Sequence, residues 1–513
     1  MNTRDKREAR SKYAVALWVA LALLYTLSRM HALPALPVFT DESDNIYWAR
    51  EVWEMHPLPA ASVGHVLNVW WLAPFHPFEN PVWVGRAATA LFGLFGLAAV
   101  YGIGRRLYSP GAGLIAGALY TLSPFVFFFD RLAVPESMAV CVSLLAVLAS
   151  VWAARTGRAV YAALCGLLLA AAIAAKASMV AFLPAPFFAA LALRPGALTR
   201  GGAAKATRLL AWAYGGFAAG WAPLWVLLHS RGYDLFGLVS AYTTSSPLAG
   251  LGERIRANLE FVWEQTTAYL PAALALLAVG CAVYLLRTRT RPTLYLLLVF
   301  ATITGAFAAV SRTVYGRYAL MLTPFLLLAL GAGLYAISRA LFRGRRGWAL
   351  PAVVLGGWAV ANALPFFHTA YTRPEDLPFS QGDRWEYVAS QTAGYGKRAA
   401  AEYLARVAAE RGETVYAVGL VAACSSIDLM LAPGADVQLE CPQIRWDGSH
   451  QQEHEALVGR LAAEHDLLYL LEDGLPYVRV DTLPVALTQV ERFPHPGEAV
   501  AVTVYRVQPA TAE

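Results

Sequence analysis

Residues 13–44 read YAVALWVALALLYTLSRMHALPALPVFTDESD: a long apolar run, two prolines at Pro34 and Pro37, then the carboxylates Asp41, Glu42 and Asp44 within Phe39-Thr40-Asp41-Glu42-Ser43-Asp44. A helix rising 1.5 Å per residue crosses the hydrocarbon core of a bilayer in roughly 20 residues, and this run is long enough. Arg4, Lys6, Arg7, Arg10 and Lys12 precede it, as in a signal peptide, but its length marks an uncleaved first span. The carboxylates therefore sit at a membrane edge, where ionisable groups are costly and tend to serve a function.

The whole chain fits a membrane setting. Of 513 residues, 58% are hydrophobic and 15% charged, with a mean hydropathy of +0.46, whereas soluble proteins carry about 25% charged residues. Residues 367–513 hold 11 Lys and Arg against 21 Asp and Glu; residues 1–366 hold 30 against 14. The basic excess reads as cytoplasmic loops and lipid headgroup contact, not nucleic-acid binding. The acidic tail reads as a soluble domain. Cys141, Cys165 and Cys281 lie in apolar runs as small hydrophobes, and no CxxC spacing suggests a metal site. Cys424 and Cys441 can pair if the tail is outside the cytoplasm.

Span length and the placement of basic residues outline the topology. Apolar runs at 13–31, 81–104, 111–129, 132–154, 159–175, 177–193, 209–228, 265–286, 293–310, 318–337 and 348–367 predict eleven helices, a polytopic α-helical fold. Clusters at Arg105-Arg106, Arg155 and Arg158, 194–208, 287–291 and 339–346 all fall on one side. The N-terminus is then cytoplasmic, and residues 1–366 form a membrane domain whose first outer loop is 32–80. A second outer loop spans 229–264, and residues 367–513 form a small extracytoplasmic α/β domain. Within the tail the patterns predict helices over 397–410, 426–431 and 453–464. Strands are predicted over 414–420, 436–439 and 466–471, and a closing hairpin over 485–493 and 499–507 with its turn at 494–497.

Several polar stretches converge on the predicted outer face. Asp41 reads as a general base near the water boundary, or as an N-cap partnered by Asp44. Residues 43–55, with Trp48 and Trp53, read as an interfacial helix. At the turn 123–137, Asp130 and Arg131 read either as a solvated pair or as site residues. Pro124 and Pro135 kink the flanking helices and open space there. Glu136 lies on the apolar side of Pro135, a functional candidate by position. Lys176 splits two short apolar runs; it either snorkels to the interface or stands as a fixed cation beside an anion. Arg312, Tyr315, Arg317 and Tyr318 interrupt the inside-positive trend and suit phosphate binding or interface anchoring. Arg254 and Arg256 are weaker candidates of the same kind.

These elements resemble a known family. The Asp41-Glu42 pair, the Ser123-Pro124…Arg131-Leu132-Ala133-x-Pro135-Glu136 turn, the Lys176 stretch and Tyr315-Gly316-Arg317-Tyr318 are similar to bacterial membrane glycosyltransferases of the GT-C fold. The likeness is to the protein O-mannosyltransferase and lipid A aminoarabinose transferase group and covers about the first 340 residues. Gln391-Thr392-Ala393-Gly394-Tyr395-Gly396 resembles extracytoplasmic tails of bacterial members. Such sequences usually carry Asp where Glu136 stands.

The resemblance implies an inverting transfer from a polyprenyl-phosphate-linked sugar to a lipid, glycan or protein hydroxyl, outside the cytoplasmic membrane, with membrane lipids as the other partners. Asp41 is expected as base, Glu42 and Glu136 as positioning groups, and Arg131, Lys176, Tyr315 and Arg317 around the donor phosphate. A monophosphate leaving group does not oblige a divalent metal, so no metal or other cofactor is expected. A flippase for a lipid-linked sugar is an alternative, but its polar groups would line a midplane path with repeat symmetry. A scaffold with a binding tail is another, in which the tail would be separable at about residue 370.

Overall fold

A computed structural model of the chain describes residues 3–194, 196, 199–233, 250–312, 314–342, 344–442, 450–475 and 479–509. Residues 234–249 of the second expected outer loop and Arg343 of the last basic cluster lie outside them. So do the side chains of the N-terminal basic residues up to position 14.

The chain forms two compact units. The first contains Met1–Leu33, Glu51–Phe75 and Arg86–Thr372; the second contains Pro34–Arg50, His76–Gly85 and Arg373–Glu513. The first outer loop, expected to belong with the membrane domain, is thus shared between the units.

The first eight α-helices are α1 (Thr3–Met30), α2 (Thr40–Trp53), α3 (Val66–Leu72), α4 (Pro81–Leu107), α5 (Pro110–Leu122), α6 (Pro124–Phe129), α7 (Pro135–Thr156) and α8 (Ala159–Ala175). Their ends follow from local chemistry. Ser109 caps α5 by accepting from the Ala112 N–H at 3.1 Å, and Pro110 occupies the position where a missing N–H costs nothing. The same device recurs at Ser123-Pro124, where α5 ends and α6 begins. Pro135 starts α7, and Gly157, at φ 70°, ends it in the left-handed conformation.

Among the described residues, five helical segments are long and apolar enough to cross a membrane: Pro81–Leu107, Pro135–Thr156, Thr290–Val310, Gly316–Leu341 and Arg346–Thr372. These match five of the eleven expected runs. The run expected at 265–286 is not one straight span. Leu251–Tyr269 and Ala272–Thr288 meet at 110°, because Pro271 supplies no N–H and Leu270 before it is extended. Several other runs form shorter apolar helices, including Val15–Met30, Pro110–Leu122, Ala159–Ala175 and Ala177–Leu193.

In the second unit the tail builds a five-stranded sheet in the order β2-β1-β3-β5-β4. Its strands are β1 (Val415–Leu420), β2 (Val437–Glu440), β3 (Leu467–Glu472), β4 (Val485–Pro494) and β5 (Ala501–Pro509). β1 pairs in parallel with β2 and β3; β5 joins β3 and β4 antiparallel. The expected closing hairpin is present, with one register shift between Gln489 and Glu491. Strand alternation sends successive side chains to opposite faces. Val415, Ala417, Leu468, Leu470, Val502 and Val504 pack with Ala400, Ala401 and Leu404 of the helix Tyr395–Arg411. Val418, Leu420, Leu467 and Tyr469 pack with Val458 of the helix Gln451–Glu464. Cys424 and Cys441 form a disulfide, their Cα atoms 5.5 Å apart.

Candidate active site

Within the first unit, residues far apart in sequence meet at Glu136. Its place in the first turn of α7, just after Pro135, sets its carboxylate at the positive end of the helix dipole. Glu136 Oε1 accepts from Lys176 Nζ and lies 3.0 Å from Arg317 Nε. All three side chains are largely buried. Lys176 stands at the end of α8, where the chain turns extended before the short 3₁₀ turn Ala177–Phe182. The break aims its ammonium inward, 4.5 Å from the centre of the Tyr318 ring. Arg317 sits 4.5 Å from the centre of the Tyr315 ring, in the 3₁₀ turn Gly316–Met321. Lys176 therefore does not snorkel; it is half of a buried ion pair.

His65 joins this cluster. It lies just before α3, and its Nδ1 is buried without a hydrogen-bond partner among the described residues. Burial, and then the neighbouring Lys176, push its pKa down to about 3, so the ring is neutral. Sequence reading passed over it, since a histidine in a loop carries no local mark. With His65 neutral, two cations face one carboxylate. The cluster carries a net positive charge, and Glu136 Oε2 is buried without a hydrogen-bond donor among the described residues.

Asp130 and Arg131 do not form the solvated pair considered above; each is buried in its own network. Asp130 accepts from the Tyr25 hydroxyl at 2.5 Å and from Ser137, with Arg29 Nε 4.0 Å away. Arg131 donates to the carbonyls of Ser28, Arg29, His31 and Ala32 at 2.6–3.3 Å. These are the carbonyls left over at the C-terminal end of α1, so Arg131 caps that helix. Its guanidinium also stacks near Phe127 and Tyr371. The structure thus brings Glu136, Lys176, Tyr315 and Arg317 together and engages Arg131 with α1. Of the weaker candidates, Arg254 donates to the Ala309 carbonyl at 3.3 Å, and Arg256 pairs with Glu260 on the surface.

The acidic stretch belongs to the second unit. α2 begins at Thr40, and the Phe39 carbonyl accepts from the N–H groups of Glu42 and Ser43. Phe39 is therefore the N-cap, and Asp41 lies inside the first turn, two places beyond it. Glu42 is fully buried; Asp41 and Asp44 are partly accessible. Asp44 faces a charge that sequence reading did not connect with it, Lys397. Burial and repulsion from Asp41 push the Asp44 carboxyl up to about 7, and Lys397 opposes them. Lys397 is itself fully buried; it donates to the Gln391 carbonyl at 2.5 Å and pairs with Glu472 Oε1 at 3.6 Å. His495 Nε2 lies 3.7 Å from the same oxygen. Burial and Lys397 push His495 down to about 4.

The comparisons agree with this architecture. Residues 69–219 match the family model described as dolichyl-phosphate-mannose-protein mannosyltransferase. No curated protein matches the sequence. In structure the chain is similar to ArnT from Cupriavidus metallidurans in the apo state, with a TM-score of 0.59 and 16% identity over 97% of this chain and 98% of that one. It is similar to the same protein bound to undecaprenyl phosphate, with a TM-score of 0.57 and 15% identity over 96% and 98%. The Archaeoglobus fulgidus oligosaccharyltransferase in complex with Zn and sulfate gives a TM-score of 0.50 and 11% identity over 96% of this chain and 73% of that one. At these identities the structural likeness speaks to the fold. In fold the chain thus resembles ArnT over nearly the whole length of both chains. The resemblance in motifs to the protein O-mannosyltransferase and lipid A aminoarabinose transferase group is thus supported by a family match and by the fold.

Proposed function

We propose that the chain moves a hexosyl or pentosyl unit from a polyprenyl-phosphate donor to an acceptor hydroxyl on a lipid, glycan or protein, with inversion, at the outer face of the cytoplasmic membrane. The observation that carries this reading is the buried cluster of Lys176 and Arg317 on Glu136, with His65 neutral beside it. A net positive charge held in a buried, preorganised site suits a phosphate whose charge grows during reaction.

Asp41 takes the proton from the acceptor hydroxyl as its oxygen attacks the anomeric carbon. The bond from that carbon to the phosphate oxygen breaks, and its electron pair leaves with the lipid monophosphate. The phosphodiester becomes a monoester and gains one negative charge, which Lys176 and Arg317 stabilise. Tyr315 orients the Arg317 guanidinium. Glu136 holds both cations in place, and Glu42 positions the acceptor or sugar. Arg131, in the turn between α6 and α7, is held by the last carbonyls of α1 and contributes its charge to the donor phosphate from there.

The test uses the full chain in proteoliposomes with a panel of polyprenyl-phosphate-linked hexoses and pentoses. Asp41→Asn is expected to abolish transfer while leaving expression and membrane insertion intact. Transfer at the wild-type rate by Asp41→Asn would sink the assignment of the base, and failure of the wild-type chain to release polyprenyl phosphate from any donor in the panel would sink the reaction.

A further inference from the structure

The tail segment 386–398 meets the main chain of residues 34–40 at several independent points, all within the second unit. The Thr392 carbonyl accepts from the Thr40 N–H at 2.9 Å and from the Thr40 hydroxyl at 3.2 Å. Arg398 donates to the Ala35 carbonyl at 2.9 Å and to the Pro34 carbonyl at 2.6 Å. The Phe39 ring packs edge-on against Tyr387, their centres 5.0 Å apart. Gly394 lies so close that a Cβ placed on it would sit 2.2 Å from the Val38 carbonyl oxygen and 2.9 Å from Pro37 Cβ. Its φ of −102° is open to any residue, so glycine is required there by space alone.

The segment is also braced from behind. The Thr392 hydroxyl donates to the Glu386 carbonyl at 2.7 Å, and the Thr392 N–H donates to the Ser390 hydroxyl oxygen at 3.2 Å. Lys397 Nζ holds the Gln391 carbonyl at 2.5 Å and is anchored to the sheet through Glu472 at the end of β3. Ordinary docking of a domain through side chains would tolerate small shifts of the strand it covers. Here the grip is on carbonyls and N–H groups one to seven residues before Asp41, including Thr40, the first residue of α2.

We propose that residues 386–398 are a positioning element for Asp41: by fixing the backbone of Pro34–Thr40 they fix where α2 begins and the direction in which its first turn presents the carboxylate. The inference rests on Asp41 being the base, and it makes the tail a component of catalysis. Gly394 and Arg398 are its positioning residues; neither is assigned contact with the reacting atoms. The tail is then not separable from transfer by truncation at about residue 370.

The experiment uses the full chain with Gly394→Val, Arg398→Met and Arg398→Lys, read in two ways. Hydrogen exchange of a peptide covering residues 38–46 needs no donor. Both Gly394→Val and Arg398→Met are expected to speed exchange there at least tenfold while peptides from β3 and β5 stay protected, which separates a loosened grip from an unfolded tail. With the donor that the wild-type chain accepts, kcat is expected to fall at least tenfold with donor KM changed less than twofold, and Arg398→Lys to recover part of the loss. Unchanged exchange in both variants overturns the proposal, and so does faster exchange with kcat unaltered. The base assignment fails on a different variant, through activity retained by Asp41→Asn.

Discussion

Glu136 in the first unit and Glu472 in the second are both buried carboxylates paired with a lysine, and they sit in opposite charge balances. Around Glu136 the cations prevail: Lys176 and Arg317 share one carboxylate, and the adjacent His65 is neutral. Around Glu472 the cation paired with it among the described residues is Lys397, which also faces Asp44, itself repelled by Asp41. A buried ion pair contributes little net stability once desolvation is counted, but breaking it is costly. The pairing alone therefore does not say what a cluster is for. The surplus does: a positive surplus suits a phosphate, and an acidic surplus suits the handling of protons.

The largest expected effect comes from removing the shared carboxylate. Glu136→Gln leaves Lys176 and Arg317 buried against each other, and the loss of one partner of a buried pair costs ~3–5 kcal/mol. Thermal unfolding in detergent should show a marked fall in Tm, largely restored when Lys176→Met is added, because the second change removes the repulsion. An unaltered Tm in Glu136→Gln would mean that the cluster is not preorganised, and the contrast between the two sites would collapse.

A smaller effect follows from removing one cation and keeping the carboxylate. Loss of one preorganised donor to a developing oxyanion costs about 10²–10³ in kcat in enzymes of other classes. Arg317→Met should lose kcat in that range for sugar transfer, and the polyprenyl phosphate that the proposed reaction releases should inhibit it more weakly. Full kcat with unchanged inhibition would place the leaving phosphate elsewhere.

How much of this was legible from sequence differs between residues. Asp41, Glu136, Lys176 and Arg317 stand out because each is an ionisable group at the edge of an apolar run. Their pairing does not, since Glu136 meets partners 40 and 181 positions away and no local pattern encodes that. The ligands of Arg131 are main-chain carbonyls, which every residue has, so nothing in the sequence tells a helix-capping arginine from a phosphate-binding one. The tail strands were legible as short runs of strand composition between turn residues. The grip of residues 386–398 on residues 34–40 was not, because it is made largely by backbone across some 350 positions. Pro271 was visible throughout, yet only the fold shows that the chain bends by 110° there.

The smallest predicted effect probes the acidic surplus through its pH dependence. The Asp44 carboxyl lies near 3.8 in the unfolded chain and about 7 in the folded one, through burial first and Asp41 second, against the pull of Lys397. Below pH 3.8 both states are protonated and Asp44 contributes nothing. As pH rises from about 4 to 7 the unfolded state ionises first, so the folded state loses stability across that window and bears the full penalty above it. At ~1.4 kcal/mol per pH unit the displacement corresponds to ~4 kcal/mol, which partial access to water reduces to ~2 kcal/mol. Asp44→Asn cannot ionise and should therefore be more stable than the wild-type chain at pH 8, with the gain shrinking through pH 6 and vanishing near pH 4. Thermal unfolding in detergent at those three pH values measures it directly. A Tm difference that stays constant with pH would show Asp44 to be an ordinary surface carboxylate, and would leave Lys397 paired with Glu472 alone.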